Sequence, residues 1–202
     1  MFNQVKYSLM SASHENNHPL TLGGEMQRDT GVIINKCYQC GKCSAGCPVA
    51  TEMDYPPSLV MRMLQTDAPT QYEKLLRSMS IWLCVSCEMC LTRCPMEIDI
   101  PALMDNMRQK SVKAKKTNPQ AKKIISFHKS FLDSINITGR LYEMGLIVDY
   151  KMRTGAMMQD VAVAPKMFVK GKLNPVPEVI KGRKKVAAIF SRIQRQNKEG
   201  KQ

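Results

Sequence analysis

Helical periodicity in this chain begins after two prolines. Pro56-Pro57 is followed by Leu59, Val60, Met63 and Leu64, which share one face of a helix opened by proline at its first turn. Asp67-Ala-Pro69 breaks that helix, and Tyr72, Leu75, Leu76 and Met79 predict a second one ending near Ser80. Neither segment alternates as a strand does. Further on, Glu97-Ile-Asp-Ile-Pro101 leads into a helix from about Pro101. There Leu103, Met104, Met107 and Val112 are apolar, and Lys110, Lys113, Lys115 and Lys116 crowd the end that the helix dipole favours for cations. Asn118-Pro119 starts another helix, with Ile124, Ile125, His128, Phe131, Leu132 and Ile135 in one stripe, and Gly139 stops it. A short helix over Leu141 to Tyr150 follows. Lys181 starts a terminal helix in which Val186, Ile189, Phe190 and Ile193 share a face and the opposite face is cationic.

The remaining stretches lack that period. Residues 1–30 are polar and irregular, with three turn-formers between Asn16 and Gly24, and are expected to form a flexible arm. His14 and His18 stand four apart, but adjacent Pro19 and the missing helical pattern speak against a metal pair. From Thr154 to Pro177 the prolines 165, 175 and 177 and Gly171 predict an extended segment lying on another protein. The expected organisation is an arm over 1–30, a helical domain over 31–116 and a helical extension for docking over 117–202. His128, within its stripe, is expected to be packed or at an interface. Trp82, two residues before a cysteine, is expected in the core.

Composition narrows the classes. With 44% hydrophobic residues the chain has the make-up of a soluble globular protein. No stretch approaches the roughly 18 consecutive apolar residues of a membrane span. The N-terminus has no apolar signal region, so a cytoplasmic location is expected. The formal charge of +13 is unevenly spread: residues 1–100 hold 8 Lys+Arg against 10 Asp+Glu, whereas 101–202 hold 22 against 7. A basic second half suits an acidic protein partner, an anionic membrane surface or nucleic acid. Aromatic residues are only 6%, and none interleave the basic stretches as base stacking requires, which disfavours nucleic acid.

All eight cysteines fall in two runs of one design. The first is Cys37-x-x-Cys40-x-x-Cys43-x-x-x-Cys47-Pro48, and the second is Cys84-x-x-Cys87-x-x-Cys90-x-x-x-Cys94-Pro95. This is the ligand spacing of a two-cluster ferredoxin of the bacterial type. Three closely spaced thiolates wrap one cubane. The fourth, held apart by three residues and a proline, points to the other cluster. The expected sets are therefore Cys37, Cys40, Cys43 and Cys94 for one [4Fe-4S] cluster, and Cys84, Cys87, Cys90 and Cys47 for the second. Zinc sites pair cysteines more sparsely, and disulfides within such tight runs would be strained.

The two runs, their helical insert, the Cys-Pro-x-Glu-Ile-Asp-Ile-Pro pattern at 94–101 and the basic helical extension together resemble HdrC, the small iron–sulfur subunit of heterodisulfide reductase. Phe127-His-Lys-Ser-Phe-Leu132 and Gly139-Arg-Leu-Tyr-Glu143 incline the resemblance to the form found in sulfur oxidisers. It implies an all-α, alpha-helical ferredoxin that passes single electrons between an HdrA-like flavin subunit and an HdrB-like catalytic subunit acting on thiols or disulfides. The chain would itself carry no catalytic residue, and it shows no G-x-G-x-x-G and no P-loop. The same module occurs in iron–sulfur subunits of fumarate reductase and anaerobic glycerol-3-phosphate dehydrogenase, so a membrane-docked, quinone-linked relay is the alternative.

Overall fold

A computed structural model describes residues 22–155, 167, 169–170 and 176–199. The regular structure among them is helical, with no strand. The chain forms two compact units, with the break after Asn118.

In the first unit, α1 (Leu22–Thr30) is followed by the four-residue helix α2 (Lys42–Ala45), then by α3 (Pro57–Gln65) and α4 (Pro69–Leu76). The short helices α5 (Ser80–Leu83) and α6 (Met89–Thr92) lead into α7 (Ile100–Lys113). Proline opens α3, α4 and α7 in their first turns, where a missing N–H costs nothing. Asp99 caps α7 by accepting from the Ala102 N–H at 2.9 Å. The core is built around α7, which packs on α1, α4, α5 and α6. Leu103, Met104 and Met107 of α7 are fully buried with Met26, Val60, Met61, Leu75 and Ile81. Burying each such side chain contributes roughly 1.5–3 kcal/mol. Two members of the expected stripes point outward instead, Leu59 and Val112, at 40% and 51% exposure.

Buried hydroxyls close the helix ends inside this core. Ser111 donates to the Leu76 carbonyl at 2.7 Å and Ser78 to that of Leu75 at 2.8 Å, satisfying acceptors at the C-terminus of α4. Asp54 accepts from the N–H groups of Met79 at 2.9 Å and Ser80 at 2.7 Å, and from the Ser80 hydroxyl, so the start of α5 is capped from outside the helix.

The helix α1 corrects the reading of residues 22–30 as irregular arm. Gly23 and Gly24 weaken the local helical signal, but Asp67 accepts from the Gly23 N–H at 3.2 Å and Met26 is buried in the core. Lys110 of α7 pairs with Asp29 at 2.9 Å and with Glu25. Residues 1–21, with His14 and His18, lie outside the described residues, as does most of the expected extended segment over 154–177.

The second unit contains α8 (Lys122–Thr138), α9 (Glu143–Thr154) and α10 (Arg183–Glu199), both α9 and α10 packing on α8. Gly139 ends α8 in the left-handed conformation. The face of α8 that is buried here is polar and small, made of Ser130, Ser134 and Thr138. Ser134 accepts from the Tyr142 N–H at 2.9 Å, and Thr138 donates to the Ser134 carbonyl at 2.8 Å. The apolar stripe expected in α8 is only partly covered: Leu132 is half exposed and His128 is exposed, so His128 is not packed within the unit. Among the described residues no helix is long and apolar enough to cross a membrane.

Candidate iron–sulfur centre

The two cysteine runs adopt the same backbone. In the first, Gln39 and Gly41 have positive φ (62° and 76°), and α2 follows at once. In the second, Ser86 and Glu88 stand at the corresponding positions with φ of 52° and 60°, and α6 follows. The matching continues beyond the helices: Cys47 donates its N–H to the Ser44 carbonyl at 3.2 Å, and Cys94 does so to Leu91 at 3.0 Å. Alternation of left- and right-handed residues is the conformation that gathers successive N–H groups into an anion-binding concavity, which suits a group ringed by thiolates and sulfides.

Each loop is held through the carbonyl of its first cysteine. The Gln65 side-chain amide donates to the Cys37 carbonyl at 2.7 Å and to that of Ile34 at 3.3 Å, while Arg108 donates to the carbonyls of Cys84 and Ile81. Gln65 also meets the Gln39 amide at 2.7 Å. Ser44 accepts from the Ser58 N–H at 2.8 Å and pairs with its hydroxyl at 2.7 Å, tying α2 to α3. None of these supports was anticipated from spacing. A glutamine at the last position of one helix and an arginine beside the buried Met107 in another are the only traces they leave in the sequence.

A cavity with an almost wholly apolar wall brings together Cys47 of the first run and Cys84, Cys87 and Cys90 of the second. Pro48, Val49, Met53 and Pro57 close it on one side, and Ile100, Pro101 and Met104 on the other. Trp82 is buried, but it is not among the cavity's lining residues, so the second loop is shielded by these aliphatic side chains and not by the indole. The indole N–H has no hydrogen-bond partner among the described residues. On the opposite side, loss of hydration and the neighbouring Cys40, Cys94 and Cys37 push the Tyr38 hydroxyl above its ordinary tyrosine value. That places Cys94 of the second run in the company of two cysteines of the first.

Burial pushes the Cys90 thiol up to about 11, with Cys84 and Cys43 adding to the rise. Burial likewise raises Cys43, with Cys37 and Cys40 adding to it. The third cysteines of the two runs are thus the inner ones, near one another, and Cys40 and Cys87 are exposed. A neutral buried thiol costs little, whereas iron replaces its proton and supplies the positive charge a buried thiolate needs. All eight thiols are free of disulfides. Among the described residues no three His, Cys, Asp or Glu donors converge as a single ion requires. Thiols spread around a cavity in this way fit a cubane better than zinc.

Residues 33–98 match the family model of the 4Fe-4S dicluster domain. Within the same part, the HdrC iron–sulfur subunit of the CoB–CoM heterodisulfide reductase of Methanopyrus kandleri is 34% identical over 67 residues, 33% of each chain. The HdrC subunit of the ferredoxin:CoB-CoM heterodisulfide reductase of Methanosarcina acetivorans is 34% identical over 80 residues, 39% of this chain and 30% of its own. A second form of HdrC, from the CoB–CoM heterodisulfide reductase of Methanocaldococcus jannaschii, is 32% identical over 85 residues, 42% of each. The chain therefore spans between 30% and 42% of the length of these curated relatives. Over this region it is similar to the HdrC subunit of heterodisulfide reductase, and the domain carries two [4Fe-4S] clusters.

Proposed function

We propose that the chain is the electron-transfer subunit of a heterodisulfide reductase-like complex, standing between an HdrA-like flavin subunit and an HdrB-like subunit that acts on thiols or disulfides. The clusters supply one-electron redox chemistry. The protein's own part is to ligate, insulate and present them. Cys37, Cys40, Cys43 and Cys94 hold one, and Cys84, Cys87, Cys90 and Cys47 hold the other. The observation that carries this reading is the cavity in which Cys47 joins the three leading cysteines of the other run. Pro48, Met53, Pro57 and Met104 exclude water there, while Gln65 and Arg108 keep the first cysteine of each loop in place.

The second unit would dock on neighbouring subunits, which explains why Phe127, Leu132, Ile137 and Met152 are left 44% to 71% exposed. A cytoplasmic location belongs to this reading. The sulfur-oxidiser form rests on residues 127–132 and 139–143, beyond the 33–98 match. The quinone-linked, membrane-docked alternative draws on α10, whose Ile189 and Ile193 are half exposed on a strongly basic helix.

Anaerobic reconstitution tests the assignment. Wild type should bind about eight irons, and Cys47→Ala should disturb the cluster of the Cys84 loop while sparing that of the Cys37 loop, as read by electron paramagnetic resonance. Loss of the Cys37-loop signal in Cys47→Ala, with the other intact, would falsify the exchange of ligands.

A further inference from the structure

The two loops share a backbone, yet they present opposite charge. From Gly31 to Thr51 the chain holds Lys36 and Lys42 and no acidic residue, whereas from Cys84 to Ile100 it holds Glu88, Glu97 and Asp99 against Arg93 alone. Arg93 does not offset that deficit locally. A Cβ built on Gly46 would lie 2.5 Å from the Arg93 Cδ and 2.6 Å from its Nε, so the guanidinium arm of the second run lies over the first. Each loop also opens an edge to solvent. Cys40 is exposed beside Tyr38, which is 58% exposed, and Cys87 is exposed between Val85 and Met89, at 63% and 41%. Large apolar side chains standing free around a cysteine are what a short-lived redox contact uses, since electrons must pass where the metal centre comes nearest the surface.

We propose that the Tyr38–Cys40 edge, flanked by Lys36, Lys42 and the Arg93 arm, docks the acidic surface of a redox protein, and that the Glu88 edge rejects the same partner. The inference rests on the ligand assignment above. Lys36, Lys42 and Glu88 are all exposed, so their charges reach an approaching surface instead of being paired in the core. Like charge across a contact suppresses the wrong partner, and opposite charge speeds the right one. The two ends of the relay are thereby distinguished by electrostatics, although their loops are built alike.

The test uses the full-length, cluster-loaded chain and two probe proteins of opposite charge, acidic flavodoxin hydroquinone as donor and basic ferricytochrome c as acceptor. Stopped-flow mixing with the flavodoxin should give a second-order rate that falls as salt rises. The double variant Lys36→Glu/Lys42→Glu should lose about tenfold or more, the scale on which steering acts. Its glutamine counterpart should lose less, and Glu88→Lys should change the rate by under about twofold. With ferricytochrome c the order of the variants should invert. A double variant that keeps the wild-type flavodoxin rate at full iron content, or equal losses from reversal at either loop, would overturn the docking face alone. Wild-type protein that fails to hold about eight irons would instead overturn the ligand assignment beneath it.

Discussion

The Gln65 side chain donates to the Cys37 carbonyl at 2.7 Å, and Arg108 does the same for the Cys84 carbonyl, so corresponding atoms of the two loops are held by unrelated residues on different helices. An acceptor left without its donor in a part-buried place costs about 1–3 kcal/mol. Gln65→Leu should therefore lower stability by about that much. It should also speed loss of iron from the Cys37 loop while leaving the other cluster in place. Arg108→Leu should do the reverse. Iron release to a chelator, followed with the cluster-specific electron paramagnetic resonance signals, reads both; equal loss of both clusters in either variant would contradict separate supports.

Gly41 and Glu88 stand at corresponding positions with φ of 76° and 60°, and only one of them is glycine. A Cβ on Gly41 would meet nothing within 4 Å, so Gly41→Ala should cost only the backbone strain, about 1 kcal/mol. Gly46→Ala needs only the flexible end of Arg93 to shift and should cost less. Chemical denaturation of the loaded protein should rank the two in that order.

Most of the first unit was legible because its signals are local. Prolines open α3, α4 and α7 where the pattern placed them, and the cysteine spacing specified two loops of one design. What escaped depends on residues distant in sequence. The helix α1 contains two glycines and has no strong pattern, yet it forms because Asp67 and Lys110 wait for it. Gln65 and Arg108 act through hydrogen bonds that no periodicity reveals. In α8 the period was read correctly as helix, but the stripe of Ile124, Phe131 and Leu132 marks what must be covered, not what covers it. Within the unit, Ser130, Ser134 and Thr138 are the buried face.

The attachment of α1 should depend on pH from both sides. The hydrogen bond and charge of Lys110 hold the Asp29 carboxyl below its ordinary value. Burial opposes the Lys110 charge, but hydrogen bonds to Glu25 and Asp29 outweigh it and lift the ammonium above its usual value. A depressed carboxylate contributes stability that is complete above its unfolded pKa and fades as pH falls through the folded one. A raised ammonium contributes stability that is complete below its unfolded pKa and fades as pH rises through the folded one. Amide exchange in residues 22–30 should therefore speed up below about pH 4 and above about pH 10.5, ahead of the α7 core. In Lys110→Met the alkaline rise should vanish, and exchange should be faster at neutral pH.

Removing the iron should expose an order of reactivity among the cysteines. Cys40 and Cys87 are exposed, whereas burial pushes Cys90 up to about 11 and raises Cys43 as well. Only the thiolate is alkylated at an appreciable rate, and a thiol titrating near 11 is ionised about a hundredfold less at pH 8 than one near 9. In cluster-free protein under native conditions, iodoacetamide should mark Cys40 and Cys87 first and Cys90 last, as mass spectrometry of timed digests would show. Raising the pH from 8 to 10 should speed labelling of Cys90 by roughly two orders of magnitude, because its thiolate fraction is still growing tenfold per unit throughout that interval. Uniform labelling at pH 8 would mean that the apolar wall of Pro48, Met53 and Met104 depends on the cluster for its shape, and that the loops are assembled by the metal instead of waiting for it.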